Sequence, residues 1–463
     1  MKKVLVLALV FAFAVLAACQ DPTPPSQQPT TQTPPPQTTT DATPGATTTE
    51  EPTDEGFVPG THTLTFRWWG GDARHTAIGN ALDLYMSHYP QVTVIPEGVV
   101  FDGFLTALQT QLAARTEPDL VQSNYAWVHS LAEGANPFYD HNELGHIIDL
   151  SEWGSLLEFT RTTDGQIGGV PHGLTGRAIM YNRAMFAEHG FDTFPSTWDE
   201  LIEVGRLIAA DNSAIDQGEN RYAFYPIPDL NFDIMIMQLL YNETGREMDD
   251  GANILYTVDE VERVFELIGR LIESGTVPAF EQLEPPNNTQ NPLWQQGRAG
   301  AAFEWVSMVH TVGDDFNGGD RPGLGLALLP PLTNGGRQDI VQRPSLVHAV
   351  TRSASDPEIA AHLLNFLYTN EEALILIGDQ LGIPFARSGA MIAEREGIVA
   401  GSLLEGLGML NMNVGVMGPL FEDPNLRPQR FDAINGFWTG VLNARQAAEN
   451  WVNNQQRELD NMN

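Results

Sequence analysis

Two tryptophans, two glycines, an acid and a base stand side by side in Trp68-Trp69-Gly70-Gly71-Asp72-Ala73-Arg74-His75, the sharpest local signal for ligand chemistry in the chain. Thr63 to Trp69 alternates and is rich in β-formers, so it reads as a strand. Residues 73–88 carry Ile78, Leu82, Tyr85 and Met86 at helical spacing. The tryptophans therefore end a strand, the glycines let a ligand approach the backbone, and helix amides follow. In open parallel sheets this is the edge where ligands bind. Asp72 offers a bidentate acceptor and a helix N-cap, and Arg74 offers a planar donor fork, the groups a polyhydroxylated ligand needs. Because strand side chains alternate, one of Trp68 and Trp69 belongs to the core.

The elements that must position this block continue as a βαβαβ run. Gln91 to Ile95 reads as a second strand, Phe104 to Ala114 as a second helix, and Asp119-Leu120-Val121 as a third strand. Asn124, Tyr125 and Trp127 follow that strand at the same edge, with one of the two aromatics free to pack on its own helix. Further on, Ser196 or Thr197 caps a helix that has carboxylates in its first turn. Residues 355–367 and 437–459 read as amphipathic helices.

Taken in order, several blocks resemble the family 1 extracellular solute-binding proteins, the sugar-binding components of bacterial ABC importers, among which maltose-binding protein is the familiar member. They are Trp69 to His75, Pro118-Asp119-Leu120 with Asn124 to Trp127, Gly169-Val170-Pro171-His172-Gly173, Tyr181-Asn182, Pro195 to Leu201, Gly297 to Ala302, Leu329-Pro330-Pro331, Gly382-Ile383-Pro384 and Phe437-Trp438. The resemblance implies a periplasmic-binding-protein type II fold, with two α/β lobes around a ligand cleft. It places the N-terminal lobe at residues 59–174 and 331–368 and the C-terminal lobe at 175–330 and 369–463. Chain crossings would fall near His172 to Arg177 and near Leu329 to Leu332. It further implies aromatic platforms and polar side chains for sugar at Trp69, Asp72, Arg74, Asn124, Tyr125, Trp127, Tyr225, Glu304, Trp305 and Trp438. Aromatic faces cover the apolar patches of a pyranose while planar polar groups take its hydroxyls. Trp438 reads equally well as core in an amphipathic helix. Arg177, with Arg74, His75 and Arg343, forms a cationic set that suits acidic sugars such as uronates. The plainer reading of Arg177 is an arginine bonded to backbone carbonyls.

Upstream of all this, Lys2 and Lys3 precede an apolar run that ends in Leu16-Ala17-Ala18-Cys19. A basic start, a short apolar stretch and small residues are the layout of a secretory signal. The block resembles a bacterial lipoprotein signal over residues 1–19, with Cys19, the only cysteine of the chain, as the lipidated residue. Residues 20–58 are dominated by Pro, Thr and Gln and lack the apolar content to offset ordering entropy, so they read as a disordered tether. Over the whole chain, the 59 acidic side chains outnumber the 24 basic ones, and the formal net charge is −35. Such a surface repels nucleic acid and anionic membranes.

The reading that results is a monomeric, extracytoplasmic receptor that touches the membrane only through its lipid anchor. It delivers a carbohydrate, taken as an oligosaccharide, to ABC importer permease subunits. The alternatives are a non-sugar solute such as a glycerol phosphodiester or polyamine, and a secreted carbohydrate-active enzyme. No Gly-x-Ser-x-Gly elbow, His-Glu-x-x-His motif or phosphate loop occurs in the sequence. No catalytic residue, cofactor or metal is therefore assigned.

Overall fold

The computed structural model describes residues 60–462 apart from 133, 135, 163, 215–218, 226–227, 280–291, 310–311, 314–322, 383, 385, 400 and 411–413. Cys19, the leader and the Pro/Thr-rich segment lie outside the described residues. The first sheet grows from the βαβαβ run: β1 (His62–Trp69), α1 (Asp72–His88), β2 (Val92–Val99), α2 (Phe104–Ala114) and β3 (Leu120–Ser123). β1 pairs in parallel with β2 and β3. Leu64, Phe66 and Trp68 of β1 are buried, whereas Trp69 is only partly buried, as the period-two alternation of a strand requires. β4 (Val170–Pro171) and β9 (Val347–Val350) complete the order β2-β1-β3-β9-β4.

The second sheet is built on β5 (Leu174–Asn182) in the order β10-β8-β5-β6, and β7 also pairs with β5. Its other strands are β6 (Ala301–Trp305), β7 (Leu324–Ala327), β8 (Ile340–Pro344) and β10 (Val414–Val416). With their helices the two sheets make two α/β lobes. The chain leaves the first sheet after Pro171 and enters the second at Leu174, then returns between Pro344 and Val347. These crossings hydrogen-bond to each other: the His172 amide donates to the Leu346 carbonyl at 2.8 Å, and the Ser345 amide donates to the Gly173 carbonyl at 2.7 Å.

Four details differ from the sequence expectation. The return crossing is at 345–346 and not near Leu329 to Leu332, because both β7 and β8 pair with β5, a long-range choice that leaves no local mark. Helices Glu371–Ile377 and Arg387–Arg395 pack with the first lobe, on α1 and on each other, so that lobe extends well past residue 368. The C-terminal helix is two helices, Arg427–Trp438 and Ala444–Met462, separated by a turn in which Gly440 takes φ +72°. Gly71 is the N-cap of α1, and Asp72 occupies its first turn.

Candidate functional site

Parallel pairing brings the carboxyl ends of β1, β2 and β3 to one edge, and an aromatic cluster forms there. Trp69 at the end of β1 has its ring centroid 4.8 Å from Phe104, 5.3 Å from Trp127 and 5.6 Å from Phe101. Phe101, two residues beyond β2, stacks on Trp127 at 5.9 Å with 18° between the planes. Sequence reasoning missed Phe101, although an aromatic just past a second parallel strand is the same signal that marked Trp69 and Trp127.

Arg74, on the first turn of α1, folds back beside this cluster. Its Nε donates to the Gln380 carbonyl at 2.7 Å and its Nη1 to the Trp69 carbonyl at 3.3 Å. A Cβ on Gly70 would lie 2.6 Å from the Arg74 Cδ, so the glycine makes room for the arginine stem. Burial lowers the Arg74 guanidinium to about 10, which leaves it charged at neutral pH. Asp72 is exposed nearby on the same turn.

A second group lies on the other sheet. Arg177 of β5 stands opposite Trp305 of β6, and Arg343 of β8 opposite Thr175 of β5, so all four side chains share one face. The guanidinium carbon of Arg177 is 4.5 Å from the Trp305 ring centroid and that of Arg343 is 4.1 Å from it. Arg177 Nη1 donates to the Phe303 carbonyl at 2.7 Å, and its Nη2 lies 3.6 Å from Glu304 Oε1. Glu304 Oε1 also accepts from the Trp305 amide at 2.8 Å. Burial lowers the Arg177 guanidinium to about 10, with Glu304 opposing the shift.

Asn124 connects this group to the first lobe. Its Oδ1 accepts from the Ala126 amide at 2.9 Å, while its Nδ2 donates to Glu422 Oε2 at 3.1 Å. Glu422 is paired with Arg343 at 3.0 Å. Burial would raise the Glu422 carboxyl, but Arg343, Arg427 and the Asn124 hydrogen bond hold it below the usual carboxylate range. Beyond Glu422 the charges alternate through Arg427 and Asp233 to Arg430, which sits 2.6 Å from Asp233. Glu422 and Asp233 were missed because nothing local distinguishes them from solvated acids.

The structure thus brings together Trp69, Arg74 and Trp127 at one edge and Arg177, Glu304 and Trp305 on the other sheet, with Asn124 linked to the second group through Glu422. Three expected ligand contacts are packing residues instead. Tyr125 is fully buried and its hydroxyl donates to the Gly418 carbonyl at 3.0 Å. Tyr225 lies in a core cluster with Met180, Tyr222 and Leu293. Trp438 packs 4.5 Å from Phe232. Among the described residues no cluster of His, Cys, Asp and Glu is arranged to hold a metal, and no helix is long and apolar enough to cross a membrane.

Residues 72–374 match the profile of the bacterial extracellular solute-binding proteins. The chain belongs to that family. Among curated relatives, a binding protein of Brucella abortus is 24% identical over 291 residues, covering 61% of this chain and 66% of the relative, so the match spans just under two thirds of that relative. Among solved structures, a periplasmic solute-binding protein from Pectobacterium atrosepticum has a TM-score of 0.77 at 23% identity, over 87% of this chain and 99% of that one. A periplasmic oligogalacturonide-binding protein from Yersinia enterocolitica, in complex with saturated digalacturonic acid, has a TM-score of 0.77 at 24% identity, over 86% and 99%. The maltose-bound MalE3 of T. maritima has a TM-score of 0.70 at 18% identity, over 87% and 100%. These likenesses establish the two-lobe fold of this solute-binding protein.

Proposed function

We propose that this chain is an extracytoplasmic receptor, lipid-anchored through Cys19, that captures an oligosaccharide between its lobes and hands it to the permease of an ABC importer. The observation that carries the reading is the aromatic cluster of Trp69, Phe101, Phe104 and Trp127 at the carboxyl edge of the parallel strands β1, β2 and β3, with Arg74 beside it. Aromatic faces and fixed polar groups are the surfaces that sugars require. The paired crossings at 172–173 and 345–346 are the natural hinge for closure of the lobes over ligand. Structural neighbours described as binding digalacturonic acid and maltose support the same class of ligand.

Acidic sugars form a second reading, favoured by Arg177 and Arg343, whose guanidinium carbons both lie within 4.5 Å of the Trp305 ring centroid. A guanidinium pairs with a uronate carboxylate through two parallel hydrogen bonds. The same arginines disfavour a polyamine. Thermal shift and calorimetry with maltotriose and digalacturonate distinguish these readings. A receptor for sugar is stabilised by mass action without product formation, whereas turnover of either sugar indicates an enzyme. Failure of every oligosaccharide to stabilise the protein overturns the sugar reading. Equal or tighter binding of the neutral sugar overturns the uronate reading.

A further inference from the structure

Among all Phe, Tyr and Trp side chains of the described residues, Phe101 alone is exposed, at 46% of its full surface. Large apolar side chains are ordinarily drawn inward, and burying a Phe is worth about 1.5–3 kcal/mol. Its neighbours in the cluster follow that rule, since Phe104 and Trp127 are buried and Trp69 is partly covered. Phe101 is also held in place: it stacks on Trp127 and meets Trp69 at 69° between the ring planes, which fixes the ring while nearly half of its surface stays open to solvent. The backbone supports this placement. The Phe101 carbonyl accepts from the Phe104 amide at 3.0 Å, and Gly103 takes φ +77° to turn the chain into α2. Val100 beside it is 68% exposed, so the loop offers an apolar lip of two residues ahead of the exposed Asp102.

We infer that Phe101 is the outermost sugar platform of the site and sets how long a ligand this chain prefers. The inference rests on the sugar reading above. Trp69, backed by the buried Trp127, would serve the sugar unit nearest the sheet edge, and Phe101 would stack only on a unit further out along the chain. Its side chain is held by rings and not by hydrogen bonds, so it selects for an apolar pyranose face and not for a particular hydroxyl pattern.

The test is calorimetry of wild type and Phe101→Ala with two series, maltose to maltotetraose and digalacturonate to tetragalacturonate. The expected result is about a tenfold loss for the longest bound member of a series. The shortest bound member should change less than about twofold, within the scatter of near-neutral contacts. Phe101→Trp should restore the loss, and because the effect is read as a ratio between ligand lengths, a shift of the unliganded melting temperature from lost stacking on Trp127 does not alter it. Equal loss at every length, or none at any length, overturns the inference. Wild-type protein that binds no member of either series overturns the sugar reading itself, and the inference with it.

Discussion

Arg430 is fully buried, and three of its contacts are charged or polar acceptors that a hydrocarbon cannot replace: Asp233 at 2.6 Å, Gln455 Oε1 at 2.8 Å and the Phe421 carbonyl. Asp233 is equally buried, and its next cation, Arg427, stands at 3.6 Å. Removing one partner of such a pair leaves an uncompensated charge in a medium of low dielectric constant. Arg430→Met should therefore destabilise the protein by about 3–5 kcal/mol, read as a lowered urea midpoint. Changing Asp233 to Leu in the same chain should recover most of that loss. Recovery is not expected if the arginine acts chiefly through Gln455 and Phe421. At this scale, side-chain type was legible in the sequence and pairing was not. Trp69, Arg74 and Trp127 stood out through their strand-end spacing, whereas the partners of Arg343 and Arg430 lie far along the chain.

Capping is local, so the helix start at Ser196 or Thr197 was readable, whereas the cap expected at Asp72 belongs to Gly71. Thr197 and Thr257 each form a reciprocal box with the glutamate three residues on, Glu200 and Glu260. The helix that Thr257 begins, Val258–Glu273, packs against Ala444–Met462, so fraying at its start is transmitted to the C-terminal helix. Thr257→Ala should cost about 1 kcal/mol in denaturant unfolding, and Thr257→Ser should restore it. An unchanged midpoint in the alanine variant would show that tertiary packing alone holds the helix end. Sheet membership was not readable in the same way. β8 gives the same strand signal whichever sheet it joins, and only pairing with β5 fixes it in the second.

At the scale of the whole molecule, three histidines among the described residues are fully buried, and burial chiefly opposes their charging. His141 is lowered to about 4, and His172 and His348 to about 3. In the unfolded chain each titrates near 6.5, so the unfolded state takes up protons first as pH falls. Stability should be full above about pH 6.5 and decline toward the folded values, by about 2 kcal/mol per histidine at pH 5. Chemical unfolding between pH 7 and 5 checks this, and replacing one of the three should flatten the decline by about a third. A flat profile across that range would mean that the histidines charge without unfolding.

For this solute-binding protein the sequence by itself determined the opening βαβαβ run of the first lobe, the glycine turn after Trp69 and the aromatic character of the sheet edge. Each follows from spacing and backbone preference within a few residues. Tertiary structure alone decided that Tyr125, Tyr225 and Trp438 are packing residues, that Phe101 is presented outward, and that β7 and β8 both join β5 before the chain returns. Those outcomes depend on which distant segments compete for the same buried surface, and that competition is resolved only when the two sheets form together.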